Sequence, residues 1–199
     1  MPDIEIGELR RDELPAAGAL LGRAYRDNPF VFVRFGDDPD HRLQAMECIH
    51  RARVSAMAPP AIAARRAGRL VGVCGADPPG GSRMAPADLQ EMLQTLSRLN
   101  PSYVRDREMR LAESRKSEPA EPHWHLGPIG VDVDAQGEGI GTLMIKRFCE
   151  RMDNAGDIAF LGTDVPANVR LYERFGFVIT EEATRFGVHG WSMLRRPNM

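Results

Sequence analysis

Gln136-Gly137-Glu138-Gly139-Ile140-Gly141-Thr142 lies between an apolar, strand-like run, Trp124 to Val133, and an amphipathic run, Leu143 to Met152, that predicts a helix. A strand, a glycine-rich turn and a helix start together build an anion site. The glycines let the backbone approach a phosphate, and the free N–H groups of the first helical turn point at it. The chain has 199 residues and a formal net charge of -2, and it is 43% hydrophobic and 27% charged. That length and composition fit one globular domain with a sizeable core, so a single domain over 1–199 is expected, with 100–122 as a flexible or covering segment.

The near-neutral charge gives no electrostatic case for a nucleic-acid or membrane partner. Cys48, Cys74 and Cys149 are far apart and form no CxxC, so they predict small buried side chains rather than a disulfide framework or a zinc site. His41, His50 and His189 show no metal-ligand pattern, and no metal is expected. No apolar run approaches the length of a membrane helix, and the N-terminus does not resemble a secretory signal, so the cytoplasm is the expected location.

Outward from the glycine turn, hydrophobic periodicity lays out the rest. Ile4-Glu5-Ile6 alternates like an edge strand; a helix from Asp12 to about Arg26 follows, ended by Pro29. A second helix is expected from Pro39 to Met57, terminated by Pro59-Pro60. Ala61–Arg65 and Leu70–Cys74 predict a hairpin turning at Ala67-Gly68, and Pro86–Leu99 a helix. The polar stretch Asn100–Pro122 is a charged helix around Arg105–Arg115 or a mobile cover. After the glycine turn come the helix stop at Gly156, a buried strand Ile158–Leu161, a short helix Asn168–Phe175 and closing strands Phe177–Glu181 and Val188–Leu194. The order predicts a mixed α/β domain with helices covering a mostly antiparallel sheet.

Three ligand readings compete for the turn, beside a bare structural turn. A dinucleotide fingerprint needs glycine or alanine where Thr142 stands, and a P-loop needs a lysine that is absent. The Gln/Arg-x-x-Gly-x-Gly/Ala pyrophosphate loop of coenzyme A-dependent acetyltransferases has its fixed positions filled by Gln136, Gly139 and Gly141. Leu126-Gly127-Pro128-Ile129-Gly130-Val131 before the turn, and the N-x-x-x-Y-x-x-x-G-F block from Asn168 through Tyr172 to Gly176-Phe177 after it, resemble the GNAT acetyltransferase superfamily. The layout of Glu121-Pro122, Trp124 and Phe160-Leu161 is similar to that of puromycin N-acetyltransferase-like proteins.

The resemblance implies the GNAT fold, α/β of α+β type. Its mostly antiparallel sheet splays two neighbouring parallel strands, here Trp124–Val133 and Ile158–Thr163, and carries helices on both faces. Acetyl-CoA is the implied co-substrate. Backbone groups of Ile129 and Val131 would pair with its pantetheine arm like an added strand. The N–H groups of Gln136, Gly137, Glu138, Gly139, Ile140, Gly141 and Thr142 would hold its pyrophosphate, and Asn168 would bond the arm or fix the loop. Glu138 is unusual where many relatives carry a basic or neutral residue. Tyr172 is the implied acid that protonates the departing thiolate. His125 stands where related enzymes place a basic glutamate and is the candidate base, with His123 two residues earlier as fallback. Many relatives carry a glutamate where this chain has Gly162, although Asp164 is close.

The stretch Asp27–Phe35 is expected to be an aromatic connector walling the acceptor, with Phe30, Phe32 and Phe35 lining an apolar pocket. With 100–122 as a second cover, the expected acceptor is a small-molecule primary amine, attacked directly at the thioester. Two alternatives stay open: a catalytically idle acyl-CoA-binding regulator, and a protein or peptide N-acetyltransferase. A homodimer also stays open.

Overall fold

The computed structural model describes residues 3–57, 61–81 and 84–198. Its elements are β1 (Ile4–Glu8), a 3-10 turn (Arg11–Glu13), α1 (Leu14–Tyr25), α2 (Pro29–Phe35), α3 (Pro39–Ala56), β2 (Ile62–Arg66), β3 (Arg69–Asp77), α4 (Pro86–Leu99), α5 (Pro101–Arg105) and α6 (Arg107–Arg115). Then follow β4 (His123–Val131), a 3-10 turn (Val133–Ala135), α7 (Ile140–Ala155), β5 (Ile158–Thr163), α8 (Pro166–Glu173), β6 (Val178–Arg185) and β7 (Val188–Arg195). The strands form one seven-stranded sheet in the order β1-β2-β3-β4-β5-β7-β6. Every neighbouring pair is antiparallel except β4 and β5, which are parallel.

Two glycines fix which face each helix covers. A Cβ on Gly72 would meet Met144 and Ile140 of α7, and one on Gly130 would meet Leu21 and Ala24 of α1. Val73 is the register partner of Gly130. Adjacent strand residues point to opposite faces, so α7 and α1 lie on opposite sides of the sheet. On one side Met144, Ile145, Phe148 and Met152 pack on Ala64, Leu126 and Leu161. On the other, Ala17, Leu20, Leu21 and Val54 pack on Val73. A third cluster joins α2, α3 and α4 through Val31, Phe35, Met46 and Leu96. All three cysteines are free and buried.

The sequence expectations shift at several places. Within the stretch expected as a loop over 27–35, residues 29–35 are helical: Pro29 occupies the first turn of α2 instead of merely stopping α1. Buried Arg42 of α3 makes this possible, because its guanidinium donates to the carbonyls of Arg26 (3.1 Å) and Gly36 (3.0 Å) and to the Asp27 carboxylate (2.9 Å). It satisfies carbonyls at the ends of two helices at once. The strand expected to run to Val133 ends at Val131, because the Asp132 side chain accepts the Val133 N–H (3.0 Å) and caps a 3-10 turn. The glycine-turn helix begins at Ile140 rather than Leu143. Of the two readings of 100–122, the helical one holds for 107–115, with α5 before it. Pro59 and Pro60, read as terminators of α3, lie outside the described residues.

A buried ion pair ties the entry of α1 to the sheet. Arg65 of β2 donates to both Glu13 oxygens (2.7 and 2.5 Å), and the two residues are only 4% and 7% exposed. The bonds to the guanidinium hold the Glu13 pKa below its ordinary value. Removing one partner leaves the other charge buried alone, which typically costs more than the intact pair contributes. Glu13→Ala is therefore expected to lower the unfolding free energy by about 3 kcal/mol in urea denaturation. A loss below about 0.5 kcal/mol would show that Arg65 finds water or another acceptor.

Candidate functional site

The parallel strands β4 and β5 pair only at their beginnings: His123, Trp124 and His125 face Ile158, Ala159 and Phe160. β4 continues to Val131 and β5 to Thr163 without further register between them. The sheet is therefore open between 126–131 and 161–163. A bulge assists the divergence: Ile129 lies opposite Cys74 and Leu126 opposite Ala76, so Gly127 and Pro128 together oppose Gly75. Strand edges inside a fold need partners for their N–H and C=O groups. Here the Ile129 N–H donates to the Tyr25 hydroxyl (3.1 Å), which reaches across from the end of α1.

The glycine turn leads from the open edge of β4 into α7. Gly137 and Gly139 sit at φ 80 and 81, a conformation that side chains rarely adopt, and a Cβ on either would meet nothing within 4 Å. Gly139 is the N-cap and offers no side-chain cap, so the first N–H groups of this 16-residue helix face outward with the positive end of its dipole. Gln136 braces the loop by donating its side-chain amide to the Val131 carbonyl (3.1 Å). The Glu138 carboxylate is held by Arg66 of β2, which neutralises the one acidic group in the loop. Backbone N–H groups, free space and a balanced Glu138 suit a pyrophosphate.

Two phenols approach the opening. Tyr172 of α8 packs its ring against Phe177 (5.7 Å, edge-on), and burial followed by the nearby Tyr25 phenol and Cys74 raises its pKa. Tyr25 is likewise raised, by burial first, against the bond from the Ile129 amide and the charge of Arg53. Burial pushes the Cys74 thiol up to about 12. The Tyr25 ring lies 4.6 Å from that of His50. His50 is buried, and both its ring nitrogens lack a hydrogen-bond partner among the described residues. Burial and then Arg53 push its pKa down to about 3.

The other side of the opening is polar. His125 of β4 is the register partner of Asp77 on β3 and of Phe160 on β5, and its ring stands edge-on to Phe160 at 5.3 Å. His125 Nδ1 is 4.0 Å from Glu118 Oε1, and the imidazole remains 34% exposed. Burial of the remainder, then Arg53 and His123, push its pKa down to about 4. Arg53 of α3 reaches the Asp77 carboxylate (3.5 Å) and the Gly127 carbonyl (3.4 Å). Burial raises the Asp77 pKa against the pull of Arg53. His123 turns its Nδ1 to the Glu121 carbonyl (2.8 Å).

The three phenylalanines read as one pocket wall separate. Phe35 is core, 4% exposed; Phe32 is 40% exposed with the Arg42 guanidinium 3.8 Å over its ring. Phe30 is half-buried against the α2–α3–α4 cluster, and its backbone N–H donates to the Asp164 carboxylate just past β5 (2.9 Å). A helical turn, unlike an extended connector, sends residues at such spacing to different sides. Sequence reasoning missed Tyr25, Arg53 and Asp77. Tyr25 and Arg53 lie on helices that periodicity read as core packing, Asp77 opens a stretch expected as a loop but ends β3, and only the tertiary fold brings them to the opening.

The model of the acetyltransferase (GNAT) family matches residues 23–177. Solved structures share the fold. A histone acetyltransferase and related acetyltransferase from Corynebacterium glutamicum superposes with a TM-score of 0.71 at 19% identity, covering 98% of this chain and 97% of its own. A putative acetyltransferase from Salmonella typhimurium, solved with its cofactor acetyl-CoA, gives 0.59 at 14% identity over 99% and 95% of the two chains. A GNAT family acetyltransferase from Brucella melitensis in complex with acetyl-CoA gives 0.53 at 16% identity over 100% and 92%. Among the described residues, no group of three or more His, Cys, Asp or Glu is placed to hold a metal ion. Nor is any described helix long and apolar enough to cross a membrane.

His50 links this site to stability. Its folded pKa of about 3 lies below the ordinary 6.5, so the unfolded chain binds its proton first as pH falls. The stabilisation is complete above about pH 6.5 and is lost below it, at about 1 kcal/mol per pH unit. Urea denaturation between about pH 7.5 and 5.5 is expected to show this fall, and His50→Phe to make it shallower, the remainder coming from His125, whose pKa is lowered in the same direction. An equal slope in both proteins would mean that His50 carries its proton in the fold.

Proposed function

The chain belongs to the acetyltransferase (GNAT) family, and on that premise we propose that it transfers an acetyl group from acetyl-CoA to a primary amine of a small molecule. The observation that carries this reading is the opening between β4 and β5, which leads straight to the outward N–H groups of the glycine turn. The backbone N–H groups of Gly137 to Thr142 bind the pyrophosphate at the helix terminus. Ile129 and Val131 offer main-chain groups to the pantetheine arm along the open edge of β4, and Asn168 flanks it from α8. The Tyr25 hydroxyl already holds the Ile129 amide, so an arm that uses this amide displaces it. When bound, acetyl-CoA supplies an acetyl thioester, whose transfer to the amine breaks the C–S bond.

Tyr172 is the proposed acid at the departing sulfur. Its raised pKa keeps the phenol protonated throughout the neutral range. The same dry surroundings raise a thiol as well, as the neighbouring Cys74 shows, so phenol and sulfur are shifted in the same direction. His125 is the proposed base for the amine. Its lowered pKa leaves the imidazole neutral at pH 7. A proton on Nδ1, turned towards Glu118, leaves the Nε2 lone pair to accept one. A small acceptor is favoured by α5 and α6, which stand over α2: Asn100 donates to the Arg34 carbonyl, and Tyr103 packs on Phe35 at 5.2 Å.

Calorimetric titration with acetyl-CoA is expected to give micromolar or tighter binding, lost in Gly139→Val; retained affinity in that variant would sink the loop assignment. Tyr172→Phe is expected to lower kcat about 100-fold with acetyl-CoA affinity kept. Unchanged turnover removes Tyr172 as the acid. For His125, the acid limb of kcat/KM is expected near pH 4 rather than 6.5, with rate lost as pH falls through it, and absent in His125→Ala. Binding without thiol release across a broad amine panel would instead make the chain an acyl-CoA-binding regulator.

A further inference from the structure

A cavity of about 190 Å³ lies between α2, the α5–α6 cover and the tip of the β6–β7 hairpin, lined among others by Arg34, Tyr103, Asp106, Arg110 and Phe186. Arg34 is its unusual member. The guanidinium lies over the rings of both Phe30 (4.7 Å) and Phe186 (5.2 Å). It makes no hydrogen bond or ion pair among the described residues, and its Nε is buried without a partner. Burial, then the nearby Arg110, lowers its pKa, so two cations are held side by side in a partly dry space. Arg110 stacks 4.0 Å over Tyr103 and donates to the Tyr103 carbonyl. Asp106 is the acidic group of the lining: exposed Arg105 binds it at the rim (2.9 Å), and its charge also acts, without a bond, on Arg34 and Arg110. An unpaired planar donor fork beside a second guanidinium matches a carboxylate.

The local backbone supports a built site. Phe186 adopts φ 52 at the hairpin tip, followed by Gly187 at φ 80. A bulky residue at positive φ costs stability where asparagine or glycine would sit freely. Here that strained position places a ring over Arg34.

Phe30 connects this cavity to the opening in the sheet. Its ring lies under Arg34 while its N–H bonds Asp164 at the end of β5, and Asp164 in turn acts on Tyr25. We propose that Arg34 and Arg110 form an anion subsite for the acceptor, so that the acceptor is an amine carrying a carboxylate. The assignment rests on the acetyltransferase reading above and narrows its substrate class.

The test compares glycine, β-alanine and longer ω-amino acids, each against its carboxamide, by thiol release from acetyl-CoA. For the chain length that spans the site, the carboxylate is expected to have a KM about tenfold below that of its carboxamide. Arg34→Gln and Arg110→Gln are expected to bring that ratio to near one, and Arg34→Lys to retain part of it. Equal KM values for acid and amide in the wild-type protein overturn the subsite and leave the acetyltransferase reading standing. A packing role alone would lower stability in Arg34→Gln and leave the ratio unmoved. A readout independent of turnover is the nitrogen-15 NMR signal of Arg34 Nε. It is expected to shift on titration with sodium acetate and not with acetamide; no shift with either overturns the subsite whether or not acetyl-CoA binds.

Discussion

Everything else in the molecule is arranged around a sheet that stops pairing in its middle. After His125 and Phe160, β4 and β5 part. An interior strand that loses its neighbour leaves unpaired backbone groups, and such groups are costly to bury. The molecule answers in two ways. The Tyr25 hydroxyl takes the Ile129 amide, and the glycine turn carries the chain away into a helix whose first N–H groups face outward. The close approach of α1 that brings Tyr25 within reach depends on Gly130, where a Cβ would lie 2.7 Å from Leu21. The same deficiency of hydrogen bonds that weakens the sheet provides main-chain donors for a ligand.

Such a gap has to be held open by forces elsewhere. Arginines anchor several of the elements that border it. Arg23 of α1 grips Asp132 just past β4 (3.0 Å), and Arg195 of β7 grips Asp153 of α7 (2.7 Å) while donating to the Phe175 carbonyl after α8. Arg65 clamps Glu13 at the other edge of the sheet. The exposed ion pairs, such as Arg51–Glu91, contribute little by comparison, because water screens them. Asp132 and Arg195 are buried, so loss of a partner there leaves a charge without solvent.

The C-terminal half of the fold was legible in the sequence because its signals are local. A glycine that must take positive φ, a 3.6-residue stripe over Leu143–Met152 and an apolar strand on each side each act within a few residues. The splayed strand pair followed from the resemblance that those motifs carry. The connector over 27–35 was misjudged because its helix depends on Arg42, an arginine on α3 that is 4% exposed and bonds both ends of the segment. Tyr25, Arg53 and Asp77 escaped notice for the same reason: a register pairing such as Asp77 with His125 is set by the sheet, not by spacing along the chain. Glu138 looked unfavourable in a phosphate loop until β2 supplied Arg66 beside it.

The candidate site has two halves, one lined by phenols and a thiol and the other by ionisable groups with Arg53 and Glu118 among them, and the division suits the proposed acyl transfer. Around Tyr172, Tyr25, Cys74 and His50 the surroundings are dry, and each group is pushed towards its neutral form. A thiolate leaving there gains little from water, so a protonated phenol beside it has most to offer. Around His125 burial also favours the neutral imidazole and the neutral Asp77 carboxyl, but Arg53 and Glu118 stand beside them and the imidazole keeps an exposed side. In the proposed reaction the amine enters that side, where Glu118 attracts it and the neutral imidazole does not repel it. Arg53 acts against the amine, but burial and then Arg53 keep His125 unprotonated, so that the proposed base is ready before the acceptor arrives. On the proposed reading one face favours neutral sulfur and the other a deprotonated amine, and the open seam between β4 and β5 is where the two would meet.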